Sequence, residues 1–143
     1  MPGVIAIYEI STAYQIFGLL HIVAAVIAFG PLFLYPALRK AGDTATIASN
    51  HMRMTFPALV ALWVLGMGLA GLSEDTFKVS QTWLVLSIVL WVVLMAVSWF
   101  LIRPAATDTS ESATSKLMAG TGVMHLGLVI GLVLMIWKPG APL

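Results

Sequence analysis

Three histidines carry the chemistry available to this chain, and two of them sit in the same local word: Gly18-Leu-Leu-His21-Ile and Gly122-Val-Met-His125-Leu. Both words lie inside long apolar runs. Water cannot solvate an imidazole in hydrocarbon, so each ring should face protein, a cofactor or a wet cavity. The glycine three residues earlier lies on the histidine's own helix face and leaves room beside the ring. That room suits the edge of a porphyrin held through protein imidazole. It nominates haem or another imidazole-bound cofactor, with His21 as first axial ligand, His125 as a candidate second, and Gly18 and Gly122 making way for the macrocycle. It suits equally a close helix crossing, with each histidine bonded to a carbonyl or to a hydroxyl such as that of Tyr14 or Thr121. Proton or ion passage is a third reading, which would need more polar residues in register than these segments hold. A metal held by side chains alone is disfavoured, because no Asp, Glu or Cys lies within the apolar runs. His51, in His51-Met-Arg53, reads as a boundary residue touching headgroups or solvent.

The surrounding composition fixes where these residues live. The chain has 143 residues, 60% hydrophobic and 9% charged, with a mean hydropathy of +1.00; a soluble domain needs roughly a quarter of its residues charged. The class is therefore an all-α membrane protein, a single four-helix transmembrane bundle in the lipid bilayer with little mass outside it. A net charge of +1 offers no basic stripe, so nucleic acid is not an expected partner. The absence of cysteine excludes disulfides and thiolate metal sites. No basic n-region or small-residue cleavage site precedes the first span, which is expected to be retained.

Spans are expected at about 12–38, 55–72, 81–102 and 116–137. Residues 1–11, with Pro2, Gly3 and Glu9, lead into the first, near Ser11 or Thr12. At about 100° per residue, the His21 face carries Tyr14, Phe17, Gly18, Ala25, Ala28, Leu32 and Tyr35, an interior face of small residues flanked by aromatics. Pro31 and Pro36 should bend or loosen the last turns, Tyr35 should sit at interface depth, and Arg39 and Lys40 should reach the headgroups. The stretches 41–50 and 105–115 read as polar loops. Pro57 falls in the first turn of the second span, and Gly66, Gly68, Ala70 and Gly71 let a helix or flat ligand approach its outer half. Trp83 and Trp99 read as interfacial anchors, while Trp63 and Trp91 fall at mid-depth, where an indole N–H wants an internal partner.

Gly120, Gly127 and Gly131 lie some 200–240° around the fourth helix from His125. Gly127-x-x-x-Gly131 is a helix-association motif, which offers that face to a neighbouring helix, a membrane protein partner or a homo-oligomer. Arg39, Lys40, Arg53, Arg103 and Lys116 flank the first and third connections, against Lys78 and Lys138 at the other end. That bias puts both termini outside the cytoplasm.

His21 followed by a Gly-Pro break and basic residues, the Pro-led Gly-rich second span, Thr82-Trp83-Leu84 opening the third, and the terminal Met135-Ile-Trp-Lys-Pro139 resemble a bacterial family of integral membrane proteins of unknown function. The resemblance runs over nearly the whole chain, and the bacterial inner membrane is the expected location. More remotely the layout is similar to HemJ-type protoporphyrinogen oxidase and to the membrane part of copper-resistance D proteins. The HemJ resemblance implies a haem b ligand in the first span, a role that falls on His21. HemJ-type proteins also carry a histidine and a lysine after the Trp-Leu of the third span, where this chain has Val85 and Ser87, so the oxidase activity is not carried over. The expectation is a non-enzymatic accessory subunit or small-ligand binder; the alternative is a haem b protein or HemJ-like oxidoreductase using His21.

Overall fold

A computed structural model describes residues 11–141; the leading segment with Pro2, Gly3 and Glu9 lies outside the described residues. These fold as four antiparallel helices, with no strand among the described residues, each long and apolar enough to cross a membrane: α1 (Thr12–Lys40), α2 (Thr44–Gly71), α3 (Thr82–Thr107) and α4 (Glu111–Trp137). The chain is a multi-pass, all-α membrane protein.

Side-chain caps set three of the helix starts. Ser11 accepts from the Tyr14 amide at 3.2 Å, Asp43 from Thr46 at 3.0 Å and Ser110 from Ala113 at 3.1 Å, each satisfying a first-turn amide that has no partner within its helix. The Asp43 and Ser110 caps correct the expectation of two polar loops. Residues 44–50 are helical and continuous with α2, and of 105–115 only 108–110 are not helical. These polar turns hold their helical form because they also bury apolar side chains: Ile47 and Leu117 are fully buried and Ala113 nearly so.

The prolines shape the loop end of the bundle, the end that carries residues 41–43 and 108–110. Pro36 has no N–H for the Leu32 carbonyl, and the Tyr35 amide takes that acceptor instead, tightening Pro31–Leu34 into a 3₁₀ turn. The loosening expected from Pro31 and Pro36 thus takes the form of tighter winding. In α2 and α3 the response is opposite. His51–Thr55 and Val97–Ile102 widen into π turns just ahead of Pro57 and Pro104, which moves each proline ring off the carbonyl it would strike in α register. Pro57 therefore sits inside a 28-residue helix, not at its start.

The helices form two hairpins. In the first, α1 lies on α2 through the glycines of the second span: a Cβ on Gly66 would come 3.1 Å from the His21 ring, and one on Gly68 would run into Phe17. In the second, Gly120, Gly127 and Gly131 receive Ile102, Leu94 and Leu90 of α3. The glycine face that the sequence offers to a neighbouring helix, a membrane protein partner or a homo-oligomer thus packs against α3 within the chain, because α3 supplies bulky side chains complementary to it. The core gathers at the loop end, where Ala28, Leu32, Tyr35, Ile47, Leu59, Ile102, Leu117 and Met124 are all at most 1% exposed. Towards the other end the described side chains turn mostly outward, Leu19, Ile22, Val89 and Ile136 among them, as lipid-facing positions should.

Candidate functional site

Where the hairpins meet at the loop end, four fully buried side chains, Tyr35, His51, Thr55 and Ser98, join α1, α2 and α3. The tightened turn before Tyr35 aims its ring inward, and the two widened turns bring His51 and Ser98 face to face. His51 Nε2 lies 3.1 Å from the Ser98 carbonyl and 2.9 Å from Ser98 Oγ. A carbonyl only accepts, so Nε2 carries the proton. Nδ1 then accepts from the Tyr35 hydroxyl at 3.3 Å, and that hydroxyl accepts in turn from Thr55 Oγ1 at 3.4 Å. Each member answers another, which is the condition for tolerating such a cluster in a low-dielectric interior.

This network corrects two expectations. His51 is no boundary residue, since the helix begins seven residues earlier, at Thr44, and carries it into the bundle. Tyr35 is no interface aromatic, because its hydroxyl has a partner inside. Arg39 also departs from its expected place at the headgroups. It donates through Nε to Thr114 Oγ1 at 3.0 Å, through one terminal nitrogen to the Ala105 carbonyl at 3.3 Å and through the other to the Asp108 carbonyl. It thereby satisfies carbonyls left open where α3 ends and ties α1 to α3 and α4. Asp108 accepts from the Ser110 amide at 2.8 Å, which holds its carboxyl below the usual carboxylate value. Trp83 is buried, not an interfacial anchor; its indole N–H donates to Gln81 Oε1 at 2.9 Å and its amide to the Pro139 carbonyl at 3.0 Å. Trp91 finds the internal partner that mid-depth demands, the Leu59 carbonyl at 2.8 Å, and stacks on Trp63 with centroids 5.4 Å apart.

The two histidines singled out by the sequence are not brought together. His21 rests in the notch over Gly66 beside the Leu62 backbone, and its Nδ1 is buried without a hydrogen-bond partner. His125 stacks on Phe33 of α1, with ring centroids 4.1 Å apart at 23°, and its Nε2 is likewise buried and unpaired. Phe33 is twelve residues beyond His21 on the same helix, roughly 18 Å of rise, so the rings stand at different depths. Their companion glycines also differ. Gly18 faces Leu69 at 4.0 Å, whereas Gly122 has nothing within 4 Å of a Cβ position. Thr121, one turn before His125 and 3% exposed, bonds neither histidine; its Oγ1 is a third buried polar atom with no partner.

The chain matches no protein-family model, no curated protein and no solved structure.

Sequence reasoning missed Ser98 and misplaced His51 and Tyr35. One signal was there to be used: His51 and Ser98 each stand six residues before a proline, Pro57 and Pro104. A polar side chain at the start of the turn that a proline forces open is well placed to meet a partner on another helix.

Proposed function

We propose that this chain is a small, non-enzymatic integral membrane protein, an accessory subunit or small-ligand binder, and that its binding determinants are the unpaired polar atoms of α4, Thr121 Oγ1 and His125 Nε2. The observation that carries the reading is their contrast with the network at Tyr35, His51, Thr55 and Ser98. There the polar groups answer one another, whereas Thr121 and His125, one helical turn apart on one face, end in atoms with no partner. An unmet buried group costs about 1–3 kcal/mol, a cost that a ligand hydroxyl, amide or carbonyl lying between the two would offset. The open space at Gly122 is a route of approach from the lipid side. Thr121→Val separates the alternatives, because it swaps the hydroxyl for a methyl of similar volume. In a protein purified with its ligand, this substitution lowers thermal stability and removes a co-purifying small molecule from the mass spectrum. A Thr121→Val protein that is more stable than wild type, with the same extractable molecules, would refute the site.

The second reading is a haem b protein, supported by the fact that the unpaired atoms of both His21 and His125 are imidazole nitrogens, the atoms that iron uses. The donor set does not fit one iron between two imidazoles, given the separation in depth, so each histidine stands as a single-ligand candidate. An absorption spectrum of the purified protein decides. A Soret band lost in His21→Ala or His125→Ala names the ligand, and a colourless protein that takes up no added haem ends the reading.

The placement we infer is the bacterial inner membrane, with the loop end in the cytoplasm and both termini outside. Five of the seven Lys and Arg residues flank the loop end, in keeping with the positive-inside bias. A terminal tag labelled by a membrane-impermeant reagent on intact spheroplasts is the expected result, and labelling only after lysis would reverse the orientation.

A further inference from the structure

A groove of about 510 Å³ opens between α2 and α3 at the loop end, with Met52, Trp99, Phe100 and Arg103 among its lining residues. Three of its properties belong together. The Arg103 guanidinium stands 4.0 Å over the Trp99 ring, one turn back along its own helix, so the cation is drawn down into the groove and away from the helix end. The ring covers a face of the guanidinium and leaves its N–H edge to a ligand.

Two carbonyls of lining residues are also short of a donor. In the widened turn of α2 the Phe56 amide bonds the His51 carbonyl, so the amide due to Met52 in that register belongs to residue 57, a proline without an N–H. In α3 the Arg103 amide bonds the Ser98 carbonyl, and the amide due to Trp99 belongs to Pro104. Finally, Met52 is 39% and Phe100 76% exposed, an apolar rim against which acyl chains lie.

A cation to meet an anion, backbone acceptors on residues lining the same groove to meet N–H donors, and an apolar border describe the complement of one headgroup. We infer that the groove binds a phosphoethanolamine lipid, with the phosphodiester on Arg103 and the primary ammonium donating to the Met52 and Trp99 carbonyls. A phosphocholine lipid has the same phosphate but no N–H to donate. A phosphoglycerol lipid has hydroxyl donors but no cation, and charge-assisted hydrogen bonds are roughly twice as strong as neutral ones. The site shares no residue with Thr121 and His125, so it stands or falls independently of the reading above.

The test is native mass spectrometry of the full chain in detergent, titrated with lipids of identical acyl chains and these three headgroups. Phosphoethanolamine is expected to bind at least about tenfold more tightly than phosphocholine, since the ammonium makes two charge-assisted hydrogen bonds and even one of the weaker kind is a factor of about ten. Arg103→Gln should weaken all three lipids. Pro57→Ala with Pro104→Ala, which restores both backbone donors, should bring the phosphoethanolamine-to-phosphocholine ratio close to one while leaving the Arg103 dependence in place. Equal retention of phosphocholine or phosphoglycerol by the wild-type chain overturns the inference. So does a headgroup ratio that the proline substitutions leave unchanged, or phosphoethanolamine binding that is indifferent to Arg103→Gln.

Discussion

Removing the imidazole of His51 should be among the most damaging single changes in this chain, and its size can be worked from the contacts. His51→Ala deletes a fully buried ring that bonds Ser98 on one side and Tyr35 on the other. Polar links between membrane helices average about 0.6 kcal/mol and reach about 1.7, so two of them contribute about 1–3 kcal/mol. The cavity adds a further amount, large-to-small changes at buried sites costing about 2–5 kcal/mol in all. A loss of about 3 kcal/mol is expected. Ser98→Ala should cost far less, about 0.6 kcal/mol, because the Ser98 carbonyl still receives the Nε2 proton. The informative measurement is the double mutant. Without His51 the Ser98 hydroxyl has lost its partner, so Ser98→Ala becomes neutral or stabilising in that background. Unfolding in mixed micelles by a denaturing detergent, followed through the five tryptophans, reads all four corners of the cycle. If Ser98→Ala costs as much without His51 as with it, or if His51→Ala unfolds with the wild-type midpoint, the network does not tie the hairpins together.

Gly127→Ala should destabilise by about 1–3 kcal/mol through overpacking, since its Cβ would meet Leu94 Cδ2 at 2.5 Å, whereas Gly122→Ala, in open space, should stay within about 0.5 kcal/mol of wild type; the same unfolding assay compares them. Arg39→Lys keeps the charge but cannot reach Thr114, Ala105 and Asp108 at once, and faster proteolytic cleavage within 105–115 is the expected readout. Asp43 is held below its usual value by the hydroxyl and amide of Thr46. Its contribution is therefore fully present above the ordinary carboxylate pKa near 3.8 and is lost as pH falls below that through the lowered folded value. Asp43→Asn should flatten this acid limb while still capping the helix, and an unchanged pH profile would remove Asp43 from it.

How much of this was legible in the sequence depends on which force decided each residue's place. The four spans were legible because twenty-odd apolar residues admit one solution in a bilayer. The inward face of α1 was legible as well, since Ala28 and Leu32 follow from helical periodicity alone. His51 was not, because its depth depends on where α2 begins, and two local signals, the polar run 44–50 and Pro57, pointed to the wrong start. An aspartate cap and a buried Ile47 outweighed the first, and a widened turn absorbed the second. The glycines of α4 were correctly read as a contact face, but their partner could not be chosen from the motif: complementarity with Leu90, Leu94 and Ile102 is a property of two helices at once. His21 and His125 were rightly placed inside spans, yet whether they shared a site turned on the stagger between helices, which no single run of residues encodes.

The concentration of packing at the loop end gives the molecule a mechanical character. The buried core, the His51 network and the Arg39 ties gather at one end, and the tie of Trp91 to the Leu59 carbonyl and the Trp63 ring joins the hairpins further along, towards the other. From Trp91 to the far tip of α3 at Thr82 the free arm is roughly 14 Å long at 1.5 Å per residue, so a tilt of about 10° would swing the tip by about 2 Å. Tilting one hairpin against the other would therefore part them more at the end away from the loops than at the loop end.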